Sequence, residues 1–399
     1  MTPPLAGLRL LDLSTVVAGP FATQSLGHLG MDVIRISAPP AEAPWPARAQ
    51  GAPVTEAEGF TWALARDKRS ICLDLKSAGG RDVFLDLVRC SDIVYDNFRP
   101  GVMRRLGLDH ARLAEVNPRI VSCSISGFGG EGPWAEVGAY DVAVQALGGS
   151  MSITGTGEPD GLPCRWGVPV GDIAGSLYAA IGLLAALEER EMTGRGQAVE
   201  VALLDAQLAL NTYRVPQAFG GDIAFETPSP RRGGAGAVPY GPFRCGDGAW
   251  LVIAVASNFW PAFVEVMALP EDPRFATLAL RQANQGALDA LLEVRFLERD
   301  AADWEAAFVA RGVPAGRVHD IPGAFAQPQA EARGMLLRFA AEGGGEVCAA
   351  GNPIRFAGEA MPESRPPVPQ GADTTAVLRD LLGYDAARIA ALRDAGAAA

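Results

Sequence analysis

Short runs rich in Leu, Ile and Val punctuate the first half of the chain. LRLLDLS (8–14), DVIRIS (32–37), SICLDLK (70–76), DIVYDNF (92–98) and RIVSCSIS (119–126) predict strands. Between them, FATQSLGHLG, GGRDVFLDLVRCS (79–91) and YDVAVQALGGSM place apolar residues at helical spacing. Strands alternating with helices predict crossover connections and a parallel, doubly wound α/β sheet, whose ligands collect at the C-terminal ends of the strands. The longest apolar run, Gly175 to Leu187, has 13 residues. A membrane-spanning helix needs about 20, so this run predicts a buried helix and no membrane partner. Residues 38–60, rich in Pro and Ala, predict a surface excursion. The Gly/Pro-rich stretch at about 220–245 predicts a domain boundary or mobile loop. Beyond it, a strand at 249–256 and helices around 258–268, 284–297 and 301–311 predict a smaller α+β unit. A Pro-rich linker and a helical pair fill the tail from about 362.

Composition narrows the function. At 399 residues the chain exceeds one ordinary hydrophobic core, and 49% apolar against 20% charged residues supplies material for two. A net charge of −12 argues against nucleic acid as a partner, because phosphate backbones demand basic surfaces. A small polyanion held by a local basic cluster remains compatible with it. The six cysteines form no Cys-x-x-Cys pair and have no histidine at ligand spacing, which argues against zinc and against a disulfide framework. The segment MTPPLAGLRLLDLS lacks the basic start and cleavage site of a signal peptide, so a cytoplasmic location is expected. The first strand is followed by STVVAGPFATQ, not by a Gly-x-Gly-x-x-Gly dinucleotide fingerprint, and there is no P-loop, Gly-x-Ser-x-Gly elbow or His-Glu-x-x-His.

Three features carry candidate chemistry. The only two lysines, Lys68 and Lys76, share the segment DKRSICLDLK. They are either an accident of an arginine-biased chain or point-charge contacts to a phosphate. NFRPGVMRRLG sets Arg99, Arg104 and Arg105 after a strand end, where they can grip phosphates or a carboxylate or simply form a solvated basic face. In GVPVGDIAGSLYAAIGLLAALEER the lone carboxylate Asp172 precedes the apolar run. Such an aspartate is a preferred helix N-cap. The same amide donors and dipole would keep it ionised, and an ionised carboxylate in a partly dry site can attack an activated acyl carbon. The residues alone leave cap and nucleophile both open.

PLAGLRLLDLSTVVAGPFATQSLGHLGMDVIRI, RDKRSICLDLK, DIVYDNFRPGVMRRLGL, NPRIVSCSISGFGGEGP, AYDVAVQALGGSMSITG and GVPVGDIAGSLYAAIGLLAALEEREMTGRGQAVEVALLDA occur in this order. Together with GVPAGRVHD, EARGM and LLGYDAARIAAL they strongly resemble the class III CoA-transferase family over essentially the whole chain. The resemblance implies a Rossmann-like large domain with a parallel sheet, a smaller α+β domain and an interlocked homodimer. It implies residues 1–215 for the first part of the large domain, 216–330 for the small domain with its Gly-rich loop, and 331–399 for a segment returning to the large domain. It implies no permanently bound cofactor, with coenzyme A and acyl-CoA as substrates and a carboxylic acid as the other partner.

Residue by residue, the resemblance makes Asp172 the nucleophile. Its attack on the donor thioester gives a mixed anhydride, and CoA thiolate converts that to an aspartyl-CoA thioester, which the acceptor acid attacks. Lys76, Asn97, Phe98, Arg105, Val17 and Ala18 fall on CoA-contacting positions, and Gly233 and Gly234 on a mobile loop over the aspartyl intermediate. Tyr140, in AYD, stands where the family's racemases carry a histidine. Racemisation needs two proton-handling groups, and tyrosine, with a pKa near 10, is a poor base. Transfer is therefore expected over Cα proton exchange or CoA binding without turnover. Val17 replaces a glutamine of formyl-CoA transferases, which argues against formate and oxalate. Ser37 and Ala38 replace a charged position used towards CoA. Arg165, seven residues before Asp172, is the candidate partner for the second carboxylate of an acid such as succinate.

Overall fold

The computed structural model describes residues 2–39, 59, 62–155, 161–220, 236–340, 346–357 and 363–399. Two compact units form: one from 1–148, 167–212 and 329–399, the other from 149–166 and 213–328. The segment 149–166 thus leaves the first unit, a detour that the pattern of apolar residues did not indicate. The surface excursion expected at 38–60 falls almost wholly outside the described residues.

The first unit is built on a six-stranded, all-parallel sheet: β1 (Arg9–Asp12), β2 (Asp32–Ser37), β3 (Lys68–Cys72), β4 (Ile93–Asp96), β5 (Val121–Ser126) and β6 (Ala198–Ala202). Their order across the sheet is β3-β2-β1-β4-β5-β6, the Rossmann order. Leu10–Leu11, Val33–Ile34 and Ile93–Val94 are consecutive apolar pairs because both faces of the sheet are covered. Alternate residues feed opposite cores: Leu11, Ile34 and Val94 pack on one side, Leu10, Val33 and Ile93 on the other.

The first core is closed by α2 (Ala78–Arg89), through Val83, Phe84 and Leu87, and by Val377, Leu378 and Ile389 of the C-terminal segment. That segment also meets β3 directly, since the Asp373 carboxylate accepts from the Ser70 amide at 2.8 Å. Short helices α3 (Val102–Leu106) and α4 (His110–Val116) follow β4, and α5 (Asp141–Leu147) follows β5.

The second core is closed by α1 (Ala18–His28) and α6 (Val170–Thr193). At 24 residues α6 outruns the apolar stretch that announced it. It is the one helix among the described residues long and apolar enough to cross a membrane, with a mean hydropathy of 1.7 over its most apolar window. Ala179, Leu183 and Leu187 pack it onto β5 and α1. Gly175 permits its close approach to α7 (Leu203–Leu210), because a Cβ there would lie 2.6 Å from Leu203 Cδ2.

The other unit holds an antiparallel sheet of β7 (Tyr240–Arg244), β8 (Trp250–Ala254) and β9 (Ala315–Arg317). Helices at Trp260–Met267, Gln285–Phe296 and Ala301–Ala310 supply Phe263, Phe296, Trp304 and Phe308 to its core.

Beneath the C-terminal end of β1 lies a buried ion pair. Asp12 and Lys68 are both almost wholly excluded from solvent, with Nζ 2.9 Å from Oδ2. Lys68 also donates to Thr23 Oγ1 (2.7 Å) and to the Pro20 carbonyl (3.1 Å), so its three N–H groups are used. Burial works against the Asp12 charge, but the ammonium with the Ser14 and Thr23 hydroxyls outweighs it and holds the carboxyl below its usual value. Lys68 is therefore structural, which corrects the phosphate reading for this lysine. Removing one member leaves the other as an unpaired buried charge. Lys68→Met is expected to cost about 3–5 kcal/mol of stability, with Asp12→Asn in the same chain recovering part of it, read as thermal-denaturation midpoints.

Candidate active site

The sheet changes winding direction between β1 and β4, so the loops leaving their C-terminal ends diverge and open a crevice. A cavity of ≈ 500 Å³ sits there. One wall is Thr15 to Ala18, a second is Asn97 to Pro100, and the others come from Gly138 to Asp141 and from Asp172. Expected site residues Val17, Ala18, Asn97, Phe98, Tyr140 and Asp172 are thus brought together around one space.

The loop after β1 is held in an unusual conformation. Val16 has φ 67°, in the left-handed region that costs a β-branched residue about 1–2 kcal/mol. The Asn97 side chain fixes it: Oδ1 accepts from the Thr15 amide (2.9 Å), and Nδ2 donates to the Thr15 carbonyl (2.7 Å). Asn97 therefore shapes the wall as well as lining it. Tyr140 is 80% exposed at the edge.

Asp172 occupies the first turn of α6, whose cap position is Pro169. This corrects the capping reading. The carboxylate that caps α6 is Asp141, at the start of α5: its Oδ1 accepts from the amides of Gly171 (2.7 Å) and Asp172 (3.2 Å). Its Oδ2 accepts from Gln145 Nε2 at 2.5 Å. The expectation that helix-end donors would favour ionisation of Asp172 fails for the same reason, since Asp141 has taken those donors. Burial, and then the Asp141 charge, push the Asp172 carboxyl up to about 6. The helix end is further tied to α1, because the Ser176 hydroxyl reaches the Ala18 carbonyl and also lies 2.7 Å from the Asp172 carbonyl.

Other expected residues lie elsewhere. Lys76 follows β3 and Arg105 sits in α3; both are exposed and neither lines this cavity. Arg165 belongs to the second unit, where its Nη1 is 3.5 Å from the Trp166 carbonyl. Gly233 and Gly234 lie outside the described residues. Residues that the sequence reading had not assigned to this site include Asp141 and Val16; Arg99, read there only as one of a basic cluster, is the basic side chain in the described wall. Asp141 had a signal in the AYD segment, but nothing local linked it to a helix end 30 residues on. Among the described residues no cluster of His, Cys, Asp and Glu is suited to a metal.

A parallel sheet in Rossmann order, with a half-buried aspartate of raised pKa in its switch-point crevice, marks a doubly wound α/β enzyme. The chain belongs to CoA-transferase family III, whose model matches residues 5–374, and it is an enzyme of that class. It is 35% identical over 389 residues to an acetyl-CoA:oxalate CoA-transferase of Acetobacter aceti, covering 94% of this chain and 95% of that one. It is 33% identical to the succinyl-CoA:glutarate CoA-transferase of Homo sapiens, covering 98% of this chain and 89% of the relative. A crystal structure of a CAIB/BAIF family protein from Brucella suis superposes with a TM-score of 0.80 at 34% identity, covering 96% of this chain and all of that one.

The raised carboxyl has a stability consequence of definite sign. Between about pH 4 and 6 folded Asp172 keeps a proton that the unfolded chain has lost, so stability falls as pH rises through that window. A shift of this size is worth roughly 3 kcal/mol. Asp172→Asn is accordingly expected to raise the melting temperature at pH 8, with the difference fading below about pH 4, read from thermal melts across pH.

Proposed function

We propose that the protein moves CoA from an acyl-CoA to a free dicarboxylic acid, with Asp172 as the covalent nucleophile. The observation that carries this reading is Asp172 itself, a carboxylate with its pKa raised to about 6 on the wall of the switch-point cavity. Above pH 6 it is ionised, and it is a stronger nucleophile than an ordinary aspartate.

The steps balance without redox change or net proton transfer. An Asp172 oxygen bonds to the thioester carbonyl carbon, and the C–S bond breaks to release CoA thiolate and leave a mixed anhydride. The thiolate attacks the aspartyl carbonyl, forming aspartyl-CoA and freeing the donor acid. The acceptor carboxylate then displaces the thiolate, and the thiolate takes the acceptor acyl group, regenerating Asp172. Each stage replaces one difficult exchange with two easier ones.

Relatives named for oxalate and glutarate support a dicarboxylic acceptor, and Arg99 supplies a positive charge to the described cavity wall. Oxalate, disfavoured on Val17 alone, returns to the panel through the Acetobacter relative. Proton exchange at Cα is the weaker reading, since no histidine lines the cavity among the described residues and both backbone contacts of Asp141 Oδ1 are committed to α6. The homodimer belongs to the same proposal. Leu177, Ile181 and Leu184 form an exposed apolar stripe on α6, and Leu208 on α7 is exposed too, in keeping with a second copy covering them. Light scattering is expected to give twice the chain mass.

Succinyl-CoA with a panel of oxalate, glutarate and monocarboxylates, followed by mass spectrometry of the thioesters, identifies the acceptor. Hydroxylamine trapping during turnover is expected to modify the peptide carrying Asp172. Asp172→Ala is expected to lose at least about 1,000-fold in kcat/KM, whereas full activity in that variant overturns the reading. The kcat/KM of the native protein is expected to rise with pH through a midpoint near 6.

A further inference from the structure

We propose that Asp141 is a positioning residue that keeps the Asp172 carboxylate reactive, by holding the helix-end amides away from it and by placing a second negative charge beside it. The inference rests on the reading of Asp172 as nucleophile and says how one carboxylate is made more reactive than its neighbours.

Three independent features of the structure carry it. First, Asp141 Oδ1 accepts from both the Gly171 and the Asp172 amides, at 2.7 and 3.2 Å. Those N–H groups are the positive end of the 24-residue helix that bears the nucleophile. Left open, they would hydrogen-bond a nearby carboxylate and blunt its reactivity. Second, the approach is built in. Position 171 is glycine, and a Cβ there would stand 3.0 Å from Asp141 Oδ1. Gln145, one turn along α5, fixes the other oxygen. Third, the charge next to Asp172 is specific. The elements around α6 carry Asp96 at the end of β4, Arg99 after it, Glu200 on β6, Asp205 on α7, His28 at the far end of α1, and Tyr140 beside Asp141. Of these and Asp141, the charge that acts on the Asp172 carboxyl is Asp141.

One carboxylate therefore does two things at once. It satisfies a helix terminus that would otherwise need a cap, and it spends the terminus's positive field on itself instead of on the nucleophile. Two like charges in one partly buried site raise the proton affinity of one of them, here Asp172, and a more basic carboxylate attacks a thioester faster once ionised.

The test uses the full-length protein and succinyl-CoA with the acceptor found in the panel above. Asp141→Asn retains a side-chain oxygen to accept the two amides but removes the charge. Its acid limb in kcat/KM is expected to move below pH 6 by about one pH unit, with the plateau lowered roughly tenfold. Asp141→Ala frees the amides as well and is expected to lose roughly 100-fold. A purely structural cap would leave the acid limb of Asp141→Asn where it was. An unmoved limb, or one moved to higher pH, therefore overturns the inference. Should Asp141→Asn not fold, Gly171→Ala crowds the same oxygen from the helix side and must lower the limb in the same direction. An active Asp172→Ala variant instead sinks the nucleophile reading, so the two failures are distinct.

Discussion

The Asp12 carboxylate, buried at the end of the first strand, organises the elements on which the site depends. It gathers the Ser14 amide and hydroxyl, the Thr23 hydroxyl and the Lys68 ammonium. Those donors come from the loop after β1, from α1 and from β3, so one charged group fixes the relative placement of three elements in a region without water. Removing it alone would leave the Lys68 ammonium an unpaired charge at that depth, far costlier than the pair. The stretch that walls the cavity starts three residues further on, at Thr15. The strained Val16 backbone persists because Asp12 anchors one side of the loop and Asn97 clamps the other.

The cavity repeats this use of carboxylates in a different setting. Asp12 is stabilised by every neighbour, whereas Asp172 is surrounded by groups that decline to stabilise it. The amides of its helix end are engaged, the charge that acts on it, that of Asp141, is negative, and it is half-buried. A chain can hold such a group only on a scaffold firm enough to resist its escape into water. Gly175 and Ser176 lock the first turns of α6 against α7 and α1 and provide that firmness. Stability is given up locally at Asp172, where the proposed chemistry takes place, and it is supplied by the two sheet cores.

Much of this architecture could be read from residue order. Five of the six parallel strands announce themselves as apolar runs because helices cover both faces of the sheet. The sixth, AVEVA at 198–202, escaped because it is a short edge strand with Glu200 exposed at its centre and it runs directly into the apolar first turn of α7. The long helix was visible, but its true start was not. An aspartate before an apolar run has the appearance of a cap, yet Val170 and Gly171 are already helical because an acceptor arrives from α5. Contacts over such sequence distances leave no local mark. The two lysines show the same limit: eight residues apart in one segment, they are alike on paper, and only burial separates a core ion pair from a surface group.

That separation bears on chemical self-protection. Activated acyl groups acylate amines as well as carboxylates, and lysine is the usual protein target. In this chain the Lys68 amine is sealed in the core with all three of its N–H groups engaged. The proposed thioester and anhydride chemistry would therefore meet a single exposed lysine, Lys76, outside the cavity in which those species would form. The arginines that carry nearly all its positive charge are far poorer acyl acceptors, because they stay protonated. Much of the protein's surface is thus inert to the reactive species it is proposed to make.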